Sequence, residues 1–231
     1  MSRLELRGIR HRAGGRWVLD GVDLLLEEPR IGVVGSNGSG KSTLVRLLNG
    51  LVLPTEGRVL VDGLDTRREA AAVRRRVGFV FTDPDAQIVM PTVIEDVALS
   101  LRRSDLDEPA RAARVTATLE RFGLAGLAEQ PAHRLSGGEK QLLALASVLV
   151  ADPDVLVCDE PTTLLDLVNT RRVLGLLAGL PQQVVLVSHD LTVFDGFDRV
   201  LVLDGGRVVA DGPPEAAVAT YQRLALGSAA P

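Results

Sequence analysis

Apolar residues in this chain follow two rhythms. IGVV (31–34), VLVCD (155–159), QQVVLVS (182–188) and RVLVLDGG (199–206) are short, nearly unbroken apolar runs that stop at glycine or a polar residue. Runs of that length predict strands buried on both faces. GRVLVDG (57–63) and VGFVF (77–81) add two more, and residues 3–10 and 17–26 read as strands joined by the turn AGG. The helical rhythm enters at Lys41, runs through LVRLLNG and closes at Gly50. It returns in RREAAAVRRR (67–76) and at 167–179 and 191–195. A long, mainly helical stretch covers about 87–151, with breaks expected at Pro91, Pro109 and Pro131. Strands alternating with helices predict an α/β fold with a largely parallel sheet and both faces covered, the helical stretch being an insertion. The end, GSAAP (227–231), is expected to fray as a flexible tail.

Composition narrows the classes. The net charge of −4 over 231 residues argues against a surface built for nucleic acid. LLALASVLVA is the longest apolar stretch, well short of the ~20 residues a membrane span needs. The N-terminus, MSRLELRGIRHR, has no apolar core, so no secretory leader is expected. With Cys158 as the single cysteine, no intrachain disulfide forms, which fits a reducing compartment. Every cationic side chain except Lys41 and Lys140 is arginine. Each lysine therefore asks for a reason.

GSNGSGKS, Gly35 to Ser42, matches G-x-x-x-x-G-K-[ST] between a predicted strand and a predicted helix. Gly35, Ser36, Asn37, Gly38, Ser39 and Gly40 let the backbone curl so that its N–H groups face phosphate oxygens, and Thr43 continues the helix start. Lysine suits such a loop as a slim point charge, whereas arginine's planar fork does not. Ser42 would offer a hydroxyl to Mg²⁺. VLVCDE (155–160) follows with two carboxylates at a strand end. Asp159 is placed to hold Mg²⁺ and Glu160 to deprotonate an attacking water. An acidic pair after a strand is otherwise often a helix cap.

LSGGEKQ (135–141) resembles the signature of ABC-type ATPases, and EPTTLLD, ending at Asp166, resembles the D-loop region of that family. His189 falls at the position of its switch histidine. The resemblance implies an ABC nucleotide-binding domain over 1–226, with a RecA-like parallel-sheet core, an N-terminal antiparallel β subdomain and a helical subdomain at about 87–151. It implies ATP and Mg²⁺ as ligands and a dimer, of identical chains or close paralogues. In that dimer Ser136, Gly137 and Gly138 of one subunit meet the nucleotide of the other. Without the family, Ser136 would be an ordinary helix cap. Lys140 is left open between a nucleotide or subunit contact and a solvated face.

TDPDAQI (82–88), followed by PTVIEDVAL, resembles the ATPase subunits of energy-coupling factor (ECF) importers through Pro84, Asp85, Gln87 and Ile88. TRREAAAVRRRVGFVFTDPDAQIVMPTVIEDVA and EKQLLALASVLV look most like the biotin-uptake type. The resemblance implies a membrane T component, with Asp85 and Gln87 facing its coupling helices. It further implies a substrate-binding S component and a peripheral place on the cytoplasmic face of the membrane. Cobalt, nickel or other vitamins are alternative cargoes, and a non-transport nucleotide switch is the rival class. Three features depart from the family, one of them Glu139, which stands where glutamine is commoner in the signature. Thr82 stands where its Q-loop glutamine belongs, with Gln87 nearby. No aromatic aligns with its adenine platform, for which His11, Arg12 and Trp17 are candidates.

Overall fold

The computed structural model describes residues 1–227; the expected tail of 227–231 lies, from residue 228 on, outside them. The chain divides into two compact units. The first holds Met1–Val77, Asp154–Glu160 and the described residues from Leu180 on; the second holds Gly78–Pro153 and Pro161–Gly179.

In the first unit, β1 (Leu4–Ala13), β2 (Arg16–Leu26), β4 (Glu56–Val61) and β5 (Leu64–Asp65) form an antiparallel sheet in the order β2-β1-β4-β5. Between them in sequence stand β3 (Arg30–Gly35) and α1 (Lys41–Leu47). Short α2 (Ala70–Arg76) closes this part of the chain. β3 belongs to a second sheet with β7 (Val155–Asp159), β8 (Gln183–Val187), β9 (Arg199–Asp204) and β10 (Arg207–Gly212), in the order β10-β9-β3-β8-β7. β9, β3, β8 and β7 are parallel, and β10 turns back antiparallel to β9. All residues of β7 and β8 are buried, which is why their sequences are continuous apolar runs rather than alternating ones. Packing is close at Gly32, where a Cβ would stand 2.5 Å from the Phe194 ring. α7 (Pro214–Gly227) covers β9 and β10.

The second unit takes up the chain at Gly78, within β6 (Val77–Val80), and holds four helices: α3 (Val93–Leu99), α4 (Glu108–Arg121), α5 (Gly137–Leu149) and α6 (Leu167–Ala178). α5 is the hub and packs against α3, α4 and α6. Leu142, Leu143 and Leu145 are at most 1% exposed. Each helix start is marked in the sequence. Thr92 and Glu95 form a capping box on α3, and Asp107 accepts from Ala110 N at 2.9 Å on α4. Pro109 does not break the helical stretch as expected; it sits in the first turn of α4, where its missing N–H costs nothing.

Candidate functional site

In the first unit, β3 runs into the glycine loop and α1 leaves it. A Cβ at Gly35 would stand 2.2 Å from the Leu203 carbonyl oxygen, and one at Gly40 2.8 Å from that of Val18. Gly38 (φ 79°) and Gly40 (φ 104°) hold left-handed backbone that side chains avoid. Ser36, Asn37 and Gly38 form the exposed rim; Ser39, Gly40 and Lys41 form the buried floor, with Ser42 and Thr43 half-buried behind it. No side chain caps α1.

Lys41 is 5% exposed. Its Nζ donates to the carbonyls of Gly35 (2.8 Å) and Ser36 (3.0 Å), so the ammonium holds the loop's shape. Burial pulls its pKa below the ordinary lysine value, opposed by the carboxylates of Glu160 and Asp159. The Ser39 hydroxyl is buried without a hydrogen-bond partner among the described residues. A buried cation and an orphaned hydroxyl on a glycine loop suit a phosphate.

Asp159 ends β7 at 1% exposure. Its Oδ1 accepts from Ser42 Oγ at 2.9 Å, and its Oδ2 meets Arg46 Nη2 at 3.1 Å. Hydroxyl and carboxylate are hard oxygen donors, and the described residues hold no cluster of three His, Cys, Asp or Glu that could cage a metal alone. That donor set fits Mg²⁺ shared with phosphate oxygens and water. Glu160 follows with φ 54°, uncommon outside glycine, and its N donates to Val187 O at 3.1 Å. That turn brings its Oε1 to 2.7 Å from His189 Nε2. The loop, Ser42, Asp159, Glu160 and His189 thus belong to one unit. Arg46 was missed by sequence reasoning, although it lies four residues beyond Ser42 on the same helical face.

The remaining predicted residues are in the second unit. Ser136 caps α5, and Glu139 Oε2 accepts from Ser136 N (2.8 Å) and Oγ (2.7 Å). Those bonds hold the Glu139 carboxyl below its ordinary range. A Cβ at Gly137 would meet nothing within 4 Å; one at Gly138 would stand 2.3 Å from Asn169 Cγ. Asp166 caps α6 by accepting from Asn169 N (2.8 Å) and also from its side-chain amide (3.1 Å). Asn169, unnoticed in the sequence, therefore links Gly138 to Asp166.

Two expectations need correction. Gln87 does not face outward: its Oε1 accepts from Phe81 N at 3.2 Å and its Nε2 donates to Ala144 O at 3.1 Å. It braces backbone and so does not replace the Q-loop glutamine. Lys140 does not lie free on a solvated face; its Nζ binds both carboxylate oxygens of Asp85, at 2.7 and 2.9 Å. Among the adenine candidates, Arg12 Nε donates to Gly15 O at 3.0 Å and His11 Nδ1 sits 3.1 Å from Leu53 O. Trp17 lies under the Arg10 guanidinium, 4.0 Å from its ring centre.

The ABC transporter family matches residues 19–163 of this chain. A Deinococcus radiodurans protein classed among ABC transporter ATP-binding proteins is 52% identical over 95% of this chain and 97% of its own length. The biotin transport ATP-binding protein BioM of Rhizobium etli is 47% identical over 92% of this chain and 94% of its own. The energy-coupling factor transporter ATP-binding protein EcfA1 of Bacillus subtilis is 40% identical over 87% and 73%, respectively. Among solved structures, the dimeric ATP-binding cassette MJ0796, in a post-hydrolysis state with ADP and Pi, superposes with a TM-score of 0.81. It is 29% identical, over 91% of this chain and 98% of that one. Glycine loop, acidic strand end and signature all accord with these matches, and the chain belongs to the ABC transporter family as one of its ATP-binding ATPase subunits.

Proposed function

We propose that this ATPase is the ATP-binding subunit of an ECF importer and energises uptake of biotin. The observation that carries this reading is the 47% identity with BioM across nearly the whole of both chains. The segment 82–90 supports it: Val89 is 66% exposed and Ile88 and Met90 are half-buried beside it, an apolar surface suited to a membrane partner's coupling helices. The working unit would be a single cassette over 1–226 with helical subdomain 87–151. It would dimerise with its own kind or a close paralogue and sit peripherally on the cytoplasmic face under T and S components. No helix among the described residues is long and apolar enough to cross a membrane.

In this mechanism the amides of Gly35 to Thr43 hold the ATP phosphates, and Lys41 turns its charge from loop carbonyls to phosphate oxygens. Ser42 and Asp159 would hold Mg²⁺, which when bound supplies neutralising charge to those oxygens. Glu160, its carboxylate oriented by His189, accepts a proton from water. The water oxygen bonds to the γ-phosphorus as the bond to the β–γ bridging oxygen breaks, and ADP departs with that electron pair. Ser136, Gly137, Gly138 and Asp166 of the other subunit close over the nucleotide, with donors at a helix start.

The test is purification in mild detergent from cells expressing the native gene cluster, together with uptake of radiolabelled biotin. Co-purifying membrane proteins and ATP-dependent biotin entry are expected. Uptake of a metal or another vitamin instead overturns the cargo; no membrane partner and no uptake overturns the importer.

A further inference from the structure

The segment between β6 and α3 is tied to α5 at three points spaced along that helix. Lys140 Nζ binds Asp85 Oδ1 and Oδ2 (2.7 and 2.9 Å), and Gln87 Nε2 donates to Ala144 O (3.1 Å). Ser147 Oγ donates to Asp96 Oδ2 (2.7 Å), while Asp96 Oδ1 accepts from the backbone N of Val89 (2.9 Å) and Met90 (3.0 Å). Residues 140, 144 and 147 recur at helical spacing, so the attachments run down one side of α5. The last point is sheltered, with Asp96 4% and Ser147 7% exposed, and the Gln87 side chain is half-buried. The first lies at the outer end, where the Lys140 side chain is 18% exposed and that of Asp85 63%. It is also the point nearest Ser136, one turn from the signature residues that start α5.

We propose that Lys140 and Asp85 are positioning residues, latching the Asp83–Met90 segment to the start of the signature helix so that displacement of either is passed to the other. The inference rests on the importer reading for what presses on Val89, a coupling helix of the membrane component. The latch itself is a property of this chain alone. The Lys140 ammonium reaches both oxygens of the Asp85 carboxylate from the first turns of α5.

The test uses the whole chain with Mg²⁺ and a slowly hydrolysed ATP analogue, reading backbone amide hydrogen exchange. In the parent, nucleotide should slow exchange at Val89 and Met90 together with the first turn of α5. In Lys140→Met, with analogue affinity unchanged, exchange at Val89 and Met90 should be about two- to fivefold faster than in the parent, the range an exposed ion pair supplies. The reversed pair, Asp85→Lys with Lys140→Glu, should restore the slow exchange, which simple loss of packing would not do. Three results overturn the latch: no nucleotide response at Val89 and Met90 in the parent, an unchanged response in Lys140→Met, or no rescue by the reversed pair. Absence of both a membrane partner and any uptake in the parent would overturn the importer reading and leave the exchange result standing.

Discussion

Two glycine-rich turns in this chain lead into helices, and they are built on opposite plans. At 35–42 two glycines are sterically compulsory: Gly35 and Gly40 each lie where a Cβ would strike backbone of a neighbouring strand, while Gly38 is required by its φ of 79°. The loop is braced from inside by Lys41, and its helix carries no side-chain cap. At 136–138 the helix start is already satisfied by the Ser136–Glu139 box, and Gly137 opens onto empty space. One turn is complete within its own unit and offers donors to a ligand. The other is stable as it stands, and a Cβ at its most exposed glycine would meet nothing among the described residues.

The sharpest way to break this contrast is to add one methyl to each turn. Gly35→Ala should cost about 3 kcal/mol or more, because the Leu203 carbonyl belongs to a strand and cannot give way. Gly137→Ala should change stability by no more than about 0.5 kcal/mol in urea unfolding while still lowering ATP turnover. Equal losses of stability would erase the distinction. A smaller effect is expected for Lys41→Met, which removes the charge from the floor of the first turn. ATP affinity measured by calorimetry should fall about tenfold to a hundredfold, from about 1.5–3 kcal/mol of charge-assisted contact. Unchanged affinity would mean that the loop is only a structural brace.

The smallest effect belongs to the second turn. Glu139→Gln keeps the geometry of the box and removes its charge at a helix start, worth about 0.3–1 kcal/mol. The pKa of Glu139 is lower folded than unfolded, chiefly through the Ser136 hydroxyl and then its backbone N–H. The carboxylate's contribution is therefore complete above the unfolded glutamate value and is lost as pH falls through the lower folded one. Urea midpoints of parent and Glu139→Gln should differ near neutrality and converge in acid. A difference that persists in acid would assign the effect to something other than the charge.

How far the sequence could be read depends on where each residue finds its partner. β7 and β8 were legible because burial on both faces leaves an unbroken apolar run. β10, exposed at alternate positions in RVVADG, gave no such run, and two-residue β5 was too short for any pattern. α7 went unread although Pro214 marks its first position. Loop, acidic pair and signature were visible as local motifs. The bracing role of Gln87 was not, because its Nε2 donates to a backbone carbonyl 57 residues away, and no side-chain pattern announces a carbonyl. The Asp85–Lys140 pair spans 55 residues, and neither motif alone names the other. His189 was singled out only through the family resemblance, and its contact with Glu160 was not foreseen, since it depends on the left-handed turn at Glu160.

Cys158 lies in β7 with no exposed surface, and burial beside the Asp159 carboxylate pushes its thiol far above the ordinary range. Because a thiol must shed its proton to attack, an alkylating reagent in neutral solution finds no target while that strand stays in place. The chain has no second cysteine to confuse the signal. Its chemistry thus contains a single-atom clock, in which each alkylated molecule records one opening of the parallel sheet and the labelling rate reads how often the sheet comes apart.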